Sequence, residues 1–278
     1  MQSLAPRCGL LPILVAVFCL AAGIGRADTL DDVKARGKMV VAIDPTFTPY
    51  EYTTADGAIT GYDPSLLELI AKDLGVAVEY RQLAFDGIIP GLVAGSFDLT
   101  ATALNVTAER AKRIAFTIPV SKSQNVVLTR KGGTVTGAAA ENLSGHTLAV
   151  KAATQPEQLL RRMSKDLEQQ GKKPIEILSV QTVEQTVEAL AANRADGVVD
   201  DMTVITAVMK RHAGQFQITG NIGDPVYIAW GTRKSDPKLT QAIDEGLKKL
   251  KADGRMKALQ EQFLDVSFDL PTSGFLPK

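Results

Sequence analysis

Cysteine and histidine are scarce in this sequence. Its 278 residues contain two cysteines, Cys8 and Cys19, and two histidines, His146 and His212. Both cysteines fall in an N-terminal apolar segment, and the two histidines are far apart in the chain. Zinc sites need several Cys, His or acidic ligands at close spacing, so the sequence predicts neither a metal site nor a disulfide framework. No cofactor is predicted.

An excess of positive charge is also missing. The 31 Lys and Arg residues balance 31 Asp and Glu residues, and no basic tract interrupts the chain. This balance excludes nucleic acid as an expected partner, because nucleic-acid binding depends on clustered cations. The stretch "RKGGTVTG" (130–137) lacks the lysine and hydroxyl that end a phosphate-binding loop. No G-x-S-x-G nucleophile motif is present.

Long apolar runs are limited to one, "GLLPILVAVFCLAAGIG" (9–25), which follows Arg7. Small residues, Gly25 and Ala27, stand where a signal peptidase reads its substrate. The pattern predicts a signal peptide over residues 1–27, cleaved after Ala27, and export of the protein to the periplasm. The alternative is an uncleaved N-terminal anchor, since the run is longer than a typical signal-peptide core but shorter than a typical spanning helix.

The remaining chain alternates short β-branched runs with amphipathic helical stretches, which predicts an α/β protein. One such stretch, "PSLLELIAKDLG" (64–75), predicts a helix that ends at its glycine. Two halves share the order strand–helix–strand–helix–strand, and two final helices have no strand set of their own. Those helices are expected to pack back on the first half. The sequence therefore predicts two lobes, each a β-sheet flanked by helices, joined by a two-strand hinge. Lobe 1 is expected to comprise 28–121 and the return segment 227–278, and lobe 2 to comprise 122–226.

Polar residues follow the predicted strands at their carboxyl ends. The segments are "AIDPTF", "LTATALNVT", "AVKAATQPE" and "VVDDMT". Ligands of open α/β sheets bind beyond these ends, near helix N-termini. Two such edges facing each other across a hinge would enclose a small polar ligand.

Six segments, in this order, resemble the periplasmic polar amino-acid-binding proteins of ABC importers, the family-3 extracellular solute-binding proteins. They are "DPTFTPYEY", "GYDPSLLELIAKDL", "DGIIPGLVAGSFDL", "TAERAKRIAFT", "LAVKAATQPE" and "RADGVVDDM". The resemblance covers 28–270. Pro64 and Ser65 depart from the family's Gly–aromatic–Asp–x–Asp signature. The resemblance implies a two-lobed periplasmic-binding-protein fold, an amino-acid ligand, the membrane permease of an ABC importer as partner, and a monomer.

The resemblance also implies which residues hold the charged groups of the amino acid. Arg110 would form a two-pronged ion pair with the α-carboxylate, for which a guanidinium is geometrically suited. This explains a cation in the first turn of a helix capped by Thr107, an end where positive charge is otherwise unfavourable. Asp201 would hold the α-ammonium and is also placed to cap the following helix. Asp200 is expected on the opposite face of its strand.

Further binding residues are implied by position in the family. Thr102, Asn105 and Thr154 would surround the charged groups, with Thr154 also a helix cap. Gln155 would direct a backbone N–H at the carboxylate. Two aromatic walls, Phe47 and Phe85, would flank the ligand's side chain, although isolated phenylalanines of this kind are also ordinary core residues.

Two charged residues are expected at the side-chain end of the pocket. Asp44 closes the first strand of lobe 1, and Lys151 closes the first strand of lobe 2. An amide donates to Asp44 and accepts from Lys151, so glutamine is the first expected ligand. In the alternative, Lys151 pairs with Asp44 or with a surface acid, and the site suits arginine, lysine or histidine.

Two other functions stay open at this point. Exported cyclohexadienyl dehydratases resemble binding proteins of this family, so a carboxylate in the cleft could serve as a catalytic acid. A ligand-sensing subunit of a receptor would share the same fold. The sequence favours a non-enzymatic binding protein.

Overall fold

A computed structural model describes residues 29–277 of the chain. The predicted signal peptide and both cysteines lie outside the described residues. None of the described helices combines the length and the apolar composition needed to span a membrane.

Helices and strands alternate along the described chain, as the sequence predicts. The helices are α1 (Thr29–Arg36), α2 (Tyr62–Leu74), α3 (Phe85–Val93), α4 (Ala108–Arg113), α5 (Ala140–Leu143), α6 (Gln155–Gln169), α7 (Val183–Ala191), α8 (Met202–Arg211), α9 (Pro237–Ala252) and α10 (Arg255–Leu264). The strands are β1 (Lys38–Ile43), β2 (Thr46–Phe47), β3 (Glu51–Thr53), β4 (Ile59–Thr60), β5 (Ala77–Gln82), β6 (Leu99–Asn105), β7 (Ala115–Phe116), β8 (Ser121–Ser123), β9 (Asn125–Arg130), β10 (Thr147–Lys151), β11 (Glu176–Val180), β12 (Gly197–Asp201), β13 (Phe216–Asn221) and β14 (Val226–Thr232).

The strands form two main sheets, around which we define two lobes. Lobe 1 contains a six-stranded sheet of order β5-β1-β6-β14-β7, with β8 paired to β14. Lobe 2 contains a five-stranded sheet of order β11-β10-β12-β9-β13. In each sheet the first three strands are parallel and the fourth is antiparallel to the third. A small sheet, β2-β3-β4, belongs to lobe 1.

The chain passes between the two sheets twice. It leaves lobe 1 between Ser123 and Asn125 and returns between Asn221 and Val226. After the return, α9 and α10 pack against α1 and α2 of lobe 1. The predicted boundaries, 121/122 and 226/227, fall beside these passages.

Helix α2 shows how the apolar pattern builds the core of lobe 1. Leu66, Leu67 and Ile70 recur at helical spacing, and all three are buried. Burying one such side chain contributes about 1.5–3 kcal/mol. The helix ends at Gly75, whose left-handed backbone donates its N–H to the last turn. The predicted helix over 64–75 is therefore confirmed, although it begins two residues earlier.

Gly61 allows α2 to start directly against β3. Its φ of 124° lies in a region that favours glycine. The first amides of the helix, on Tyr62 and Asp63, donate to the backbone carbonyls of Pro49 and Tyr50 rather than to a capping side chain. A Cβ atom on Gly61 would lie 2.4 Å from the Tyr50 carbonyl oxygen. The close backbone contact thus requires a residue without a side chain.

Candidate functional site

Arg110 lies in the first turn of α4, at the edge between the lobes. The hydroxyl of Thr107 caps this helix by accepting from the Arg110 amide at 3.2 Å, as predicted. The guanidinium donates to the carbonyl oxygen of Asn105 at 3.1 Å and to that of Ala153 at 3.0 Å. Ala153 belongs to lobe 2, so the Arg110 side chain bridges the two lobes.

The charge of Arg110 is buried and forms no ion pair within the described residues. Its side chain is shielded from solvent, and burial lowers its pKa to about 10. Across residues 29–277 no carboxylate lies within 4.0 Å of its guanidinium nitrogens. A buried unpaired charge is costly. The arrangement therefore suits an anion supplied by a ligand.

A small cavity between the lobes collects most of the predicted binding residues. We call it the cleft cavity; its volume is about 20 Å³, room for about one water molecule. The predicted residues in its wall are Phe47, Phe85, Asn105, Lys151, Thr154 and Asp201. Arg110 lies just outside, with its guanidinium 5.3 Å from the ring centre of Phe85. Because binding pockets for small molecules measure about 300 Å³ or more, a ligand requires the lobes to separate.

Asp201 ends β12 and caps α8. Its Oδ1 accepts from the amides of Thr203 at 2.9 Å and Val204 at 3.4 Å. Its Oδ2 is buried, with the Ser123 hydroxyl nearby but no hydrogen bond of normal geometry in the described chain. Burial raises the pKa of Asp201. One oxygen therefore serves the helix while the other is available to a ligand cation.

Lys151 forms an ion pair with Asp44 across the lobes. Its Nζ lies 2.8 Å from Asp44 Oδ2 and donates to the Thr46 hydroxyl at 2.9 Å. It also lies 5.4 Å from the ring centres of both Phe47 and Phe85. This is the alternative arrangement described from the sequence, in which Asp44 neutralises Lys151. Asp44 itself does not line the cleft cavity.

Two predicted residues contact other groups instead of the cavity. The Thr102 hydroxyl donates to Glu51 Oε1, because Thr102 lies on the face of β6 opposite to that of Ala103 and Asn105, which do line the cavity. In this arrangement Thr102 does not line the cavity, and its contact with the ligand's charged groups stays a prediction. The side-chain oxygen of Gln155 accepts from the side-chain amide of Asn125 at 2.7 Å. Gln155 thereby orients Asn125, which lines the cavity.

Three polar residues of the cavity wall were not predicted. Ser123 and Asn125 flank the first passage between the lobes, and Asp200 precedes Asp201. Asp200 was expected to point away from Asp201, yet both line the cavity. The cavity lies across the carboxyl edge of the lobe 2 sheet, where side chains from both faces of a strand can reach it. The sequence signal for the role of Asp200 was its position directly beside Asp201, a second acid at the end of the same strand. No group of three potential metal-ligating side chains occurs within residues 29–277.

A buried carboxyl pair lies behind the cleft cavity in lobe 1. Glu51 and Asp63 are both fully shielded, and the indole of Trp230 faces Asp63. Burial raises the pKa of Asp63 to about 7. Burial and the neighbouring Asp63 raise that of Glu51, which the Thr102 hydroxyl partly offsets. Two neighbouring buried carboxylates repel each other when both are ionised. The pair therefore retains a proton in the folded state.

This retained proton predicts a dependence of stability on pH. Between pH 4 and 7 the folded protein binds a proton at Asp63 that the unfolded chain has released, so the free energy of unfolding falls as the pH rises through this range. Between pH 5 and 8 we expect a fall of as much as about 3 kcal/mol, measured by urea unfolding with circular dichroism. The Asp63→Asn variant, neutral at every pH, should have a flatter profile.

Asp73→Asn is the matched control on the same helix. Asp73 is exposed and paired with Lys249 at 2.7 Å, which lowers its pKa. Its removal should leave the slope between pH 5 and 8 unchanged. Equal slopes for wild type and Asp63→Asn would show that Asp63 does not hold the retained proton and would contradict the assignment.

Comparison with known proteins finds similarity to solute-binding proteins, among them proteins named for binding amino acids. The family model described as bacterial extracellular solute-binding proteins, family 3, matches residues 39–266. The L-cystine-binding protein TcyJ of Escherichia coli (strain K12) is 24% identical over 234 residues, which cover 84% of this chain and 85% of that protein. The family match includes the whole wall of the cleft cavity and, except for Lys38, both main sheets.

Two solved structures are similar over most of their length. An ancestral arginine-binding protein bound to arginine has a TM-score of 0.76 and 28% identity, and the match covers 82% of this chain and 98% of that one. The ancestral amino acid-binding protein AncCDT-1, a precursor of cyclohexadienyl dehydratase, has a TM-score of 0.77 and 27% identity, with 86% and 100% covered. Both agree with the two-lobed architecture described above.

Proposed function

Because the chain belongs to the bacterial extracellular solute-binding proteins of family 3, we propose that it captures a polar L-amino acid between its lobes and delivers it to the permease of an ABC importer. The observation that carries this proposal is Arg110, a buried guanidinium held by two backbone carbonyls and by no carboxylate in the described chain. The α-carboxylate of an amino acid supplies the missing anion.

The second charged group of the ligand is assigned to lobe 2. The free Oδ2 of Asp201 accepts a hydrogen bond from the α-ammonium, while Oδ1 continues to cap α8. With one charged group bound by each lobe, the ligand favours the closed arrangement because it binds that arrangement better. The rings of Phe47 and Phe85 then flank the side chain.

Lobe closure also accounts for the contacts that already join the lobes. Arg110 reaches Ala153, and Lys151 reaches Asp44 and Thr46. A ligand enters when these contacts separate and is enclosed when they form again. The proposal also includes export of the chain with cleavage after Ala27 and a monomeric protein in the periplasm. Its boundaries between the lobes are residues 121/122 and 226/227.

Thermal-shift screening of the mature protein against the twenty L-amino acids tests this proposal. A ligand at 100 times its Kd stabilises the folded state by about 2.7 kcal/mol, so Tm should rise by roughly 5–10 °C for at least one polar amino acid. Small-angle scattering with the same ligand should give a smaller radius of gyration, because closure brings the lobes together.

The control is the carboxamide of the stabilising amino acid, which lacks the α-carboxylate. It should cause little shift, since Arg110 then has no anion to bind. A flat screen across all twenty amino acids, or an equal shift for the carboxamide, would contradict the proposed site.

An enzyme on the same scaffold is the second candidate. It is favoured by the similarity to a precursor of cyclohexadienyl dehydratase and by Asp200, a cavity-lining carboxyl whose pKa burial raises to about 7. Such a group can donate a proton near neutral pH. Incubation with prephenate or arogenate separates the two, because only an enzyme forms product over time.

A further inference from the structure

Asp200 is a buried acid in the wall of the cleft cavity. In the proposed function it binds neither the α-carboxylate nor the α-ammonium of the ligand. It is 5% exposed at the end of β12. Its Oδ1 accepts from the Asp201 amide at 2.8 Å. Its Oδ2 is shielded from solvent and has no hydrogen-bond partner within residues 29–277. The unpaired oxygen belongs to a residue of the cavity wall.

The other charges around the cavity balance in pairs once an amino acid is bound. Arg110 is matched by the α-carboxylate, and Asp201 is matched by the α-ammonium. Lys151 is matched by Asp44, at 2.8 Å across the lobes. Asp200 is therefore the one carboxyl of this set that remains without a counter-charge.

The surroundings of Asp200 do not supply that counter-charge fully. Burial raises the pKa of Asp200 to about 7, and the charges of Asp201 and of Glu184 on α7 also raise it, whereas Lys151 on β10 lowers it from longer range. The backbone amide of Asp201 provides one hydrogen bond. A further cation donor would have to come from the cavity side.

We propose that Asp200 is a specificity residue that binds a cation at the end of the ligand's side chain, so that the cleft prefers an L-amino acid with a cationic side chain to its neutral isostere. This inference rests on the proposed function. It narrows the ligand class from polar amino acids to the basic ones, because a cationic side chain stabilises the ionised form of Asp200 and a neutral amide does not. A guanidinium or ammonium group donates to Oδ2 and balances that charge.

Calorimetric titration with L-arginine and L-citrulline tests the inference. The two ligands have nearly the same shape, but arginine ends in a guanidinium and citrulline in a neutral ureido group. For the wild-type protein we expect arginine to bind at least about tenfold more tightly, the difference between a charge-assisted and a neutral hydrogen bond. In Asp200→Asn, which keeps the shape and the oxygen that accepts from Asp201, this preference should fall below about twofold.

Glu184→Gln is the matched control. It removes an acid that acts on Asp200 electrostatically, but Glu184 is exposed and lies outside the cavity wall. The ratio of arginine to citrulline affinity should not change in this variant. Asp200→Ser serves as a second test variant if Asp200→Asn does not fold, as judged by circular dichroism.

The outcomes separate this inference from the proposed function. A wild-type protein that binds amino acids but does not prefer arginine to citrulline overturns the role of Asp200. An unchanged preference in Asp200→Asn overturns it as well. A wild-type protein that binds none of the twenty amino acids contradicts the proposed function itself.

Discussion

Replacement of Arg110 by lysine should weaken amino-acid binding by about 1.5–3 kcal/mol, the range of a charge-assisted hydrogen bond, or roughly 10- to 150-fold in Kd. Lysine keeps the positive charge but cannot form two parallel hydrogen bonds with a carboxylate. Its ammonium also cannot reach the carbonyls of Asn105 and Ala153 with the fixed geometry of the guanidinium. Calorimetric titration with the amino acid identified by the thermal-shift screen measures the loss.

Arg113→Lys is the matched control, since Arg113 is exposed one turn further along α4. It should bind like the wild type. Circular dichroism should show that Arg110→Lys is folded at the titration temperature, although it loses the guanidinium's hydrogen bonds to Asn105 and Ala153. Wild-type affinity in Arg110→Lys would place the carboxylate elsewhere in the cleft.

Replacement of Gly61 by alanine should lower the free energy of unfolding by at least about 3 kcal/mol, in the range of the most damaging point mutations. The new methyl group would lie 2.4 Å from the carbonyl oxygen and 2.8 Å from the carbonyl carbon of Tyr50. Both atoms belong to the carbonyl that accepts from the Asp63 amide at the start of α2, so neither can move far without loss of that hydrogen bond. Urea unfolding followed by circular dichroism measures the effect.

Gly57→Ala separates the backbone clash from the cost of a left-handed conformation. Gly57 also has a positive φ, 86°, but no atom lies within 4 Å of the position of a new Cβ. Its replacement should cost about 1–2 kcal/mol, the penalty for a left-handed residue with a side chain. If both variants lost the same stability, the close approach to Tyr50 would not be rigid.

The features that the sequence predicted correctly depend on local signals. The apolar spacing of Leu66, Leu67 and Ile70 predicted α2, and the glycine at 75 predicted its end. Thr107 predicted the start of α4 and therefore the position of Arg110. Such signals act over three to five residues and do not require knowledge of the rest of the chain.

The features that the sequence did not predict depend on where three or more segments meet. Lys151 could face a ligand or Asp44, and only the distance between the ends of β1 and β10 decides between them. Asp200 was expected to lie away from the site because the alternation of a strand does not show that a cavity extends over its end. For Thr102 the alternation holds and Ala103 takes the cavity side, so its predicted contact with the ligand stays a prediction.

The position of β14 has a consequence for the order in which the protein can assemble during synthesis or translocation. Strand β14 lies between β6 and β7 in the lobe 1 sheet, but it follows every strand of lobe 2 in the chain. A chain that emerges with its N terminus first therefore presents all of β9–β13 while β6 still has one open edge. Lobe 2 can fold as a continuous segment, whereas lobe 1 waits for a strand more than 120 residues away from its β6 partner. Open edges of this kind pair readily with other chains, so the interval before β14 arrives is when the nascent protein is most exposed to aggregation.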